Sequence, residues 1–181
     1  MAAKTSVFYL TERVTLDPAT ATATDTIDLG AYVDVADRQG ILVHDVDFVF
    51  QGVDSGGDPA GLLESVTADT EAHVQVTDLN RGAIVFADDR ALVASGGIML
   101  DDSNGVATNA GDLYPDNFGP TSAQGGRIVI NDQMYVRAQL QSGTIGANLG
   151  LTCTVRLKCS VISLSQKDFM AIALQSTAAD N

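Results

Sequence analysis

The chain has 181 residues, enough for one domain with a core of its own, and 45% of them are hydrophobic, which excludes a disordered chain despite a formal net charge of −13. No run approaches the roughly 18 apolar residues of a spanning helix, and Glu12 and Arg13 interrupt the short apolar run Val7–Leu10, so the start does not read as a signal peptide. Of the 23 acids only Glu12, Glu64 and Glu71 are glutamates, and lysine occurs only at positions 4, 158 and 167. Short carboxylates on a lysine-poor surface hold water and salt ions, and their repulsion is screened to about 3 Å near 1 M salt, a pattern that points to a halophilic source. A plainer reading of the same acidity is solubility alone.

In chain order, the first strand signals are Thr5 to Leu16 and Thr24 to Val35, rich in β-branched and aromatic residues, the second broken near Gly30. Ile41 to Gln51 places Leu42, His44, Val46, Phe48 and Phe50 on one face, with Val43, Asp45, Asp47 and Val49 on the other. Ala72 to Leu79, Ala83 to Phe86, Ala91 to Val93, Ile98 to Leu100, Arg127 to Ile130 and Met134 to Leu140 follow. Turn chemistry separates these segments at Asp17-Pro18, Arg38-Gln39-Gly40, Asp54 to Gly61, Asn80-Arg81-Gly82, Ser95-Gly96-Gly97 and Ser142-Gly143.

The most regular stretch runs from Leu149 to Leu164. Leu149, Leu151, Cys153, Val155, Leu157, Cys159 and Val161 alternate with Gly150, Thr152, Thr154, Arg156, Lys158 and Ser160, which predicts a half-buried strand about 45–50 Å long. On such a strand Cys153 and Cys159 stand about 20 Å apart and cannot pair with each other. Both fall on the apolar face and read as small buried hydrophobes. After it, Ser165 suits a helix N-cap, with Asp168 in the capping-box position ahead of Phe169 to Leu174. The pattern predicts an all-β fold, a single jelly roll or β-sandwich over 1–181 with a short C-terminal helix, and long loops at 51–61 and 101–126.

Catalytic signatures are weak. Val53 to Pro59 looks like the stretch around the nucleophile of chymotrypsin-like proteases, but only His44 precedes Ser55, so the triad has no partners and a turn explains the string. His44 and His73 lack the clustering of a metal site. Asp101, Asp102 and Asn104 offer oxygen ligands without the alternation of an EF-hand loop, so they are weak Ca²⁺ candidates beside the default of a solvated hairpin tip. The expectation is a non-enzyme with no cofactor.

Charge is uneven along the chain. The acids crowd between Asp17 and Asp116, where the bases are Arg38, Arg81 and Arg90, whereas Arg127, Arg137, Arg156, Lys158 and Lys167 face the single acid Asp132. Arg137, Arg156 and Lys158 are therefore candidate assembly residues, able to meet the acidic body of another copy.

An acidic, lysine-poor β chain of this size, ending in one very long strand and a short helix, resembles the small major capsid proteins of sphaerolipovirus-like archaeal viruses, which are icosahedral with an internal membrane. The resemblance implies an upright single jelly roll in the virion shell, with other copies and a larger capsid protein as partners, above a membrane. It implies no catalytic residues and no sequence-specific nucleic-acid contact. Two further classes stay open: an exported adhesin, surface-layer or filament subunit, and a ligand-binding jelly-roll module.

Overall fold

A computed structural model describes residues 2–110 and 125–178. The elements are β1 (Ala2–Ala3), β2 (Phe8–Leu16), β3 (Thr22–Asp28), β4 (Gln39–Val53), β5 (Pro59–Ala60), a 3₁₀ turn (Leu63–Ser65), β6 (Thr70–Thr77), β7 (Leu92–Asp101), β8 (Val106–Ala110), β9 (Arg127–Val129), β10 (Gln133–Ser142), β11 (Gly150–Ser163) and α1 (Gln166–Ala178). They form two antiparallel sheets. In the first, β11 lies between β4 on one side and β1 and β2 on the other, and the far edge of β4 takes β9 and β5. The second runs β3-β10-β6-β7-β8.

The pairing is nested. Among the eight principal strands the first pairs with the last (β2 with β11), the second with the seventh (β3 with β10), the third with the sixth (β4 with β9) and the fourth with the fifth (β6 with β7). The pairs β11·β4 and β10·β6 then join these folded-over hairpins into sheets. That order is a jelly roll: one long hairpin, with β6 and β7 at its tip, wrapped so that successive strands on either side of the tip leave for alternate sheets. The interior is filled. Leu16, Ile27, Ile41, Val43, Phe48, Phe50, Val74, Val76, Ile98, Met134, Val136, Leu151, Val155 and Leu157 belong to one buried cluster between the sheets.

β11 carries its predicted faces. Leu151, Cys153, Val155, Leu157, Cys159 and Val161 are all buried, and Arg156 between them is exposed. The thiols of Cys153 and Cys159 are free. α1 begins where its cap predicts: Ser165 Oγ accepts the Asp168 N–H at 3.1 Å and donates to Asp168 Oδ2 at 2.8 Å. Phe169 and Ile172 pack with Leu42, Ile128, Ile130, Ile162 and Leu164 as a second apolar cluster, so the helix covers one end of the first sheet's outer face.

Several expectations are corrected. β4 does not keep one apolar face: Lys158 pairs with Asp45 and Cys159 with Val43, which leaves His44 as an extra residue in a β-bulge. The bulge reverses the side-chain phase, so Val46, Phe48 and Phe50 face the main core on one side of it and Ile41 and Val43 on the other, while Leu42 turns out to α1. Ser95-Gly96-Gly97 is no turn. Neither glycine has a positive φ, and ladders from β6 and β8 carry β7 straight through them. Ala83 to Phe86 is no strand; it crosses the outer face of the second sheet, held by a side chain. The segment 51–61 contains the end of β4 and all of β5, and 101–126 contains β8, with 111–124 outside the described residues.

Candidate functional site

Apolar side chains fill the space between the sheets, so among the described residues the candidate sites lie on the outer surfaces. The first sheet's outer face carries Tyr9, Thr11 and Arg13 from β2, Thr154, Arg156 and Lys158 from β11, and Asp45 and Asp47 from β4. Register sets Arg156 opposite Asp47 and Lys158 opposite Asp45. None of Arg13, Arg156 and Lys158 closes an ion pair among the described residues. The face is therefore a basic column beside an acidic one, both hydrated, and each such exposed charge contributes little to the monomer's stability.

The second sheet's outer face is partly roofed. The segment after β6 folds back over it, and the Gln75 amide clamps it at two points: Gln75 Nε2 donates to the Val85 carbonyl at 2.9 Å, and Gln75 Oε1 accepts the Val85 N–H at 2.8 Å. Gln75 is 2% exposed, so both bonds form in a water-poor setting where an unmade one would be costly. Arg81 in the same segment donates to Asp89 at 3.2 Å. Between the turn at 80–83 and strands β3, β10 and β6 lies a pocket of about 420 Å³, bounded by Thr24, Thr26, Thr77, Asn80, Tyr135 and Arg137, with Asp25 and Arg81 also on its wall.

The structure does not gather the expected assembly residues. Arg137 lies on the second sheet, and Arg156 and Lys158 on the opposite side of the sandwich. Arg127, from the same basic stretch of sequence, is 3% exposed. Its Nη2 donates to Asp78 Oδ2 at 2.8 Å and also to the Arg90 carbonyl, which ties β9 to the segment between β6 and β7. Burial pushes the Asp78 carboxyl up from its usual range, and the charge and hydrogen bond of Arg127 pull it partly back. Arg127 Nε and Nη1 are buried with no acceptor. The two partners stand 49 residues apart, and no local signal in the sequence joins them.

Among the cation candidates, Asp101 and Asn104 bind each other. The Asn104 N–H donates to Asp101 Oδ1 at 2.9 Å and its amide to Asp101 Oδ2 at 2.7 Å, while the Asp102 N–H reaches Asp69 Oδ1 at 3.0 Å. The Asn104 amide, with its N–H second, holds the Asp101 carboxyl below its usual range. Among the described residues no group of three or more His, Cys, Asp or Glu side chains is placed to hold a metal ion, and no helix is long and apolar enough to cross a membrane. His44 Nε2 bonds Ser160 Oγ at 2.9 Å and His73 Nε2 bonds Glu71 Oε1 at 2.8 Å, so both histidines have structural partners. Ser55 sits at the tip of the β4–β5 hairpin, where Asp54 Oδ1 accepts the N–H groups of Gly56 and Asp58 at 2.8 and 2.9 Å.

No family model matches the chain, and no curated protein matches it. Solved structures with which it aligns include an unassembled VP1 pentamer of KI polyomavirus, at 10% identity and a TM-score of 0.42 over 92% of this chain and 100% of that one. Another is an unassembled mutant VP1 pentamer of Washington University polyomavirus, at 9% identity and a TM-score of 0.41 over 91% and 97%. A structure of Desmodium yellow mottle tymovirus aligns at 8% identity and a TM-score of 0.32 over 89% and 91%. The assignment of a jelly roll rests on this chain's own strand order.

Proposed function

We propose that this chain is a structural shell protein, a virus capsid subunit that assembles with copies of itself. One observation carries the reading: the nested eight-strand pairing closes around an interior filled by apolar side chains. Jelly rolls serve as capsid walls, as lectins and as cupins. Cupin chemistry needs a cluster of ligands pointing into the barrel, whereas the buried inter-sheet cluster here is Val, Leu, Ile, Ala, Met and Phe with the well-separated Cys153 and Cys159, and no group of three or more His, Cys, Asp or Glu side chains is placed to hold a metal among the described residues. The strands β4 and β11, of 15 and 14 residues, are far longer than the common 5 to 6 and build a tall wall. The resemblance noted in the sequence supports a finer reading: a virion of a halophile virus, in which this subunit stands with a larger capsid protein over a membrane.

The test is sedimentation velocity and electron microscopy of the purified protein between about 0.1 M and 1 M salt, where the Debye length falls from about 10 to 3 Å. Capsomer-sized oligomers or closed shells are expected at high salt. A monodisperse monomer throughout the range overturns self-assembly and returns weight to a ligand-binding module.

A further inference from the structure

Arg137 carries a buried donor without an acceptor. In a chain with 23 acids and 10 bases, a half-buried arginine would be expected to find a carboxylate. Arg137 makes no ion pair among the described residues, and its Nε is buried without an acceptor. It projects from β10 between Thr24 of β3 and Gln75 of β6, on the wall of the pocket of about 420 Å³. Gln75 is committed to Val85 and makes no bond to Arg137. Asp25 is the acid on the wall, but its Oδ1 accepts the Thr26 N–H at 2.7 Å and it does not reach the guanidinium. The Thr77 hydroxyl donates to the Leu79 carbonyl and the Tyr135 hydroxyl to Gln133 Oε1, whereas the exposed hydroxyls of Thr24 and Thr26 have no protein partner among the described residues. A half-buried planar fork of donors, its Nε already out of water and without an acceptor, sits beside two hydroxyls in a pocket the size of a small-ligand site.

We infer that this pocket is an oxyanion site, in which Arg137 binds a carboxylate or phosphate group with Thr24 and Thr26 as accessory donors. The group can be carried by a small solute or by an acidic side chain of a second copy, and both present the same oxygens to the fork. The inference rests on the pocket's own geometry and stands independently of the shell reading.

Titration calorimetry of the full chain with citrate and with inorganic phosphate tests it, using Arg137→Gln, Arg137→Lys and Thr24→Val beside the wild type, each checked for a native thermal transition. Saturable binding of at least one probe to the wild type is expected, weakened about tenfold or more in Arg137→Gln and less in Arg137→Lys and Thr24→Val. If a second copy supplies the group, the probe also lowers the wild type's sedimentation coefficient, and Arg137→Gln lowers it without the probe. Equal binding by wild type and Arg137→Gln overturns the site. So does the absence of binding together with unchanged sedimentation of Arg137→Gln.

Discussion

At the scale of single residues, two buried groups make sharp predictions. Burial pushes the thiols of Cys153 and Cys159 up to about 12, so neither supplies thiolate near neutrality. The native protein should therefore resist iodoacetamide, and both cysteines should label once denaturant exposes β11; labelling of the native chain within minutes would mean that β11 opens. Arg127 is the second case. Replacing it by Met leaves the Asp78 carboxylate buried without its cation, which should cost about 3–5 kcal/mol, while the double variant Asp78→Leu/Arg127→Met should recover much of that loss. The sign with pH follows from the raised carboxyl: the folded state holds the Asp78 proton more tightly than the unfolded chain, so stability from this group is present at low pH and falls as pH rises through the folded value. Without Arg127 that fall should steepen. Urea unfolding at about pH 4 and about pH 8 should show Arg127→Met closest to wild type at the lower value, and the opposite order would refute this account of the pair.

The elements are organised by the bulge at His44. It lets one strand serve two cores, the inter-sheet cluster through Ile41, Val43, Phe48 and Phe50, and the helix cluster through Leu42. Deleting His44 restores a regular ladder with β11 and turns Ile41 and Val43 out of the core, at about 1.5–3 kcal/mol for each buried side chain moved. His44→Ala keeps the extra residue and loses only the bond to Ser160, worth about 0.5–1.5 kcal/mol. Thermal melts should separate the two variants widely. Equal destabilisation would show that the side chain, not the added residue, is what matters. Period-2 alternation made β11 legible in advance because both of its neighbours run in regular register over most of its length; β4 was misread because a bulge is a fact about pairing with a partner and leaves no mark in the strand's own alternation.

For the whole molecule the governing quantity is charge. With a net of −13, the folded chain repels itself more than an expanded one does, and salt relieves that repulsion. Raising KCl from about 0.1 M to 1 M should raise the thermal midpoint of the monomer, since screening acts over about 3 Å instead of 10 Å. An unchanged or lowered midpoint would leave the acidity as a matter of solubility and remove the support for a halophilic source. The basic stretch from Arg127 to Lys167 does not form one patch, because β9, β10 and β11 alternate between the two sheets: Arg127 is consumed in the buried pair, Arg137 lines a pocket on one face, and Arg156 and Lys158 lie on the other.

Local chemistry determined the all-β class, the faces of β11, the free buried cysteines and the capped helix, since each depends on neighbours within one strand or one helical turn. The tertiary structure alone decided the nested strand order, the continuation of β7 through its glycines, the Asp78–Arg127 pair, the Gln75 clamp and the isolation of Arg137. Those features depend on which strands meet and on which segment folds over a face, and the energies that select them come from groups far apart along the chain.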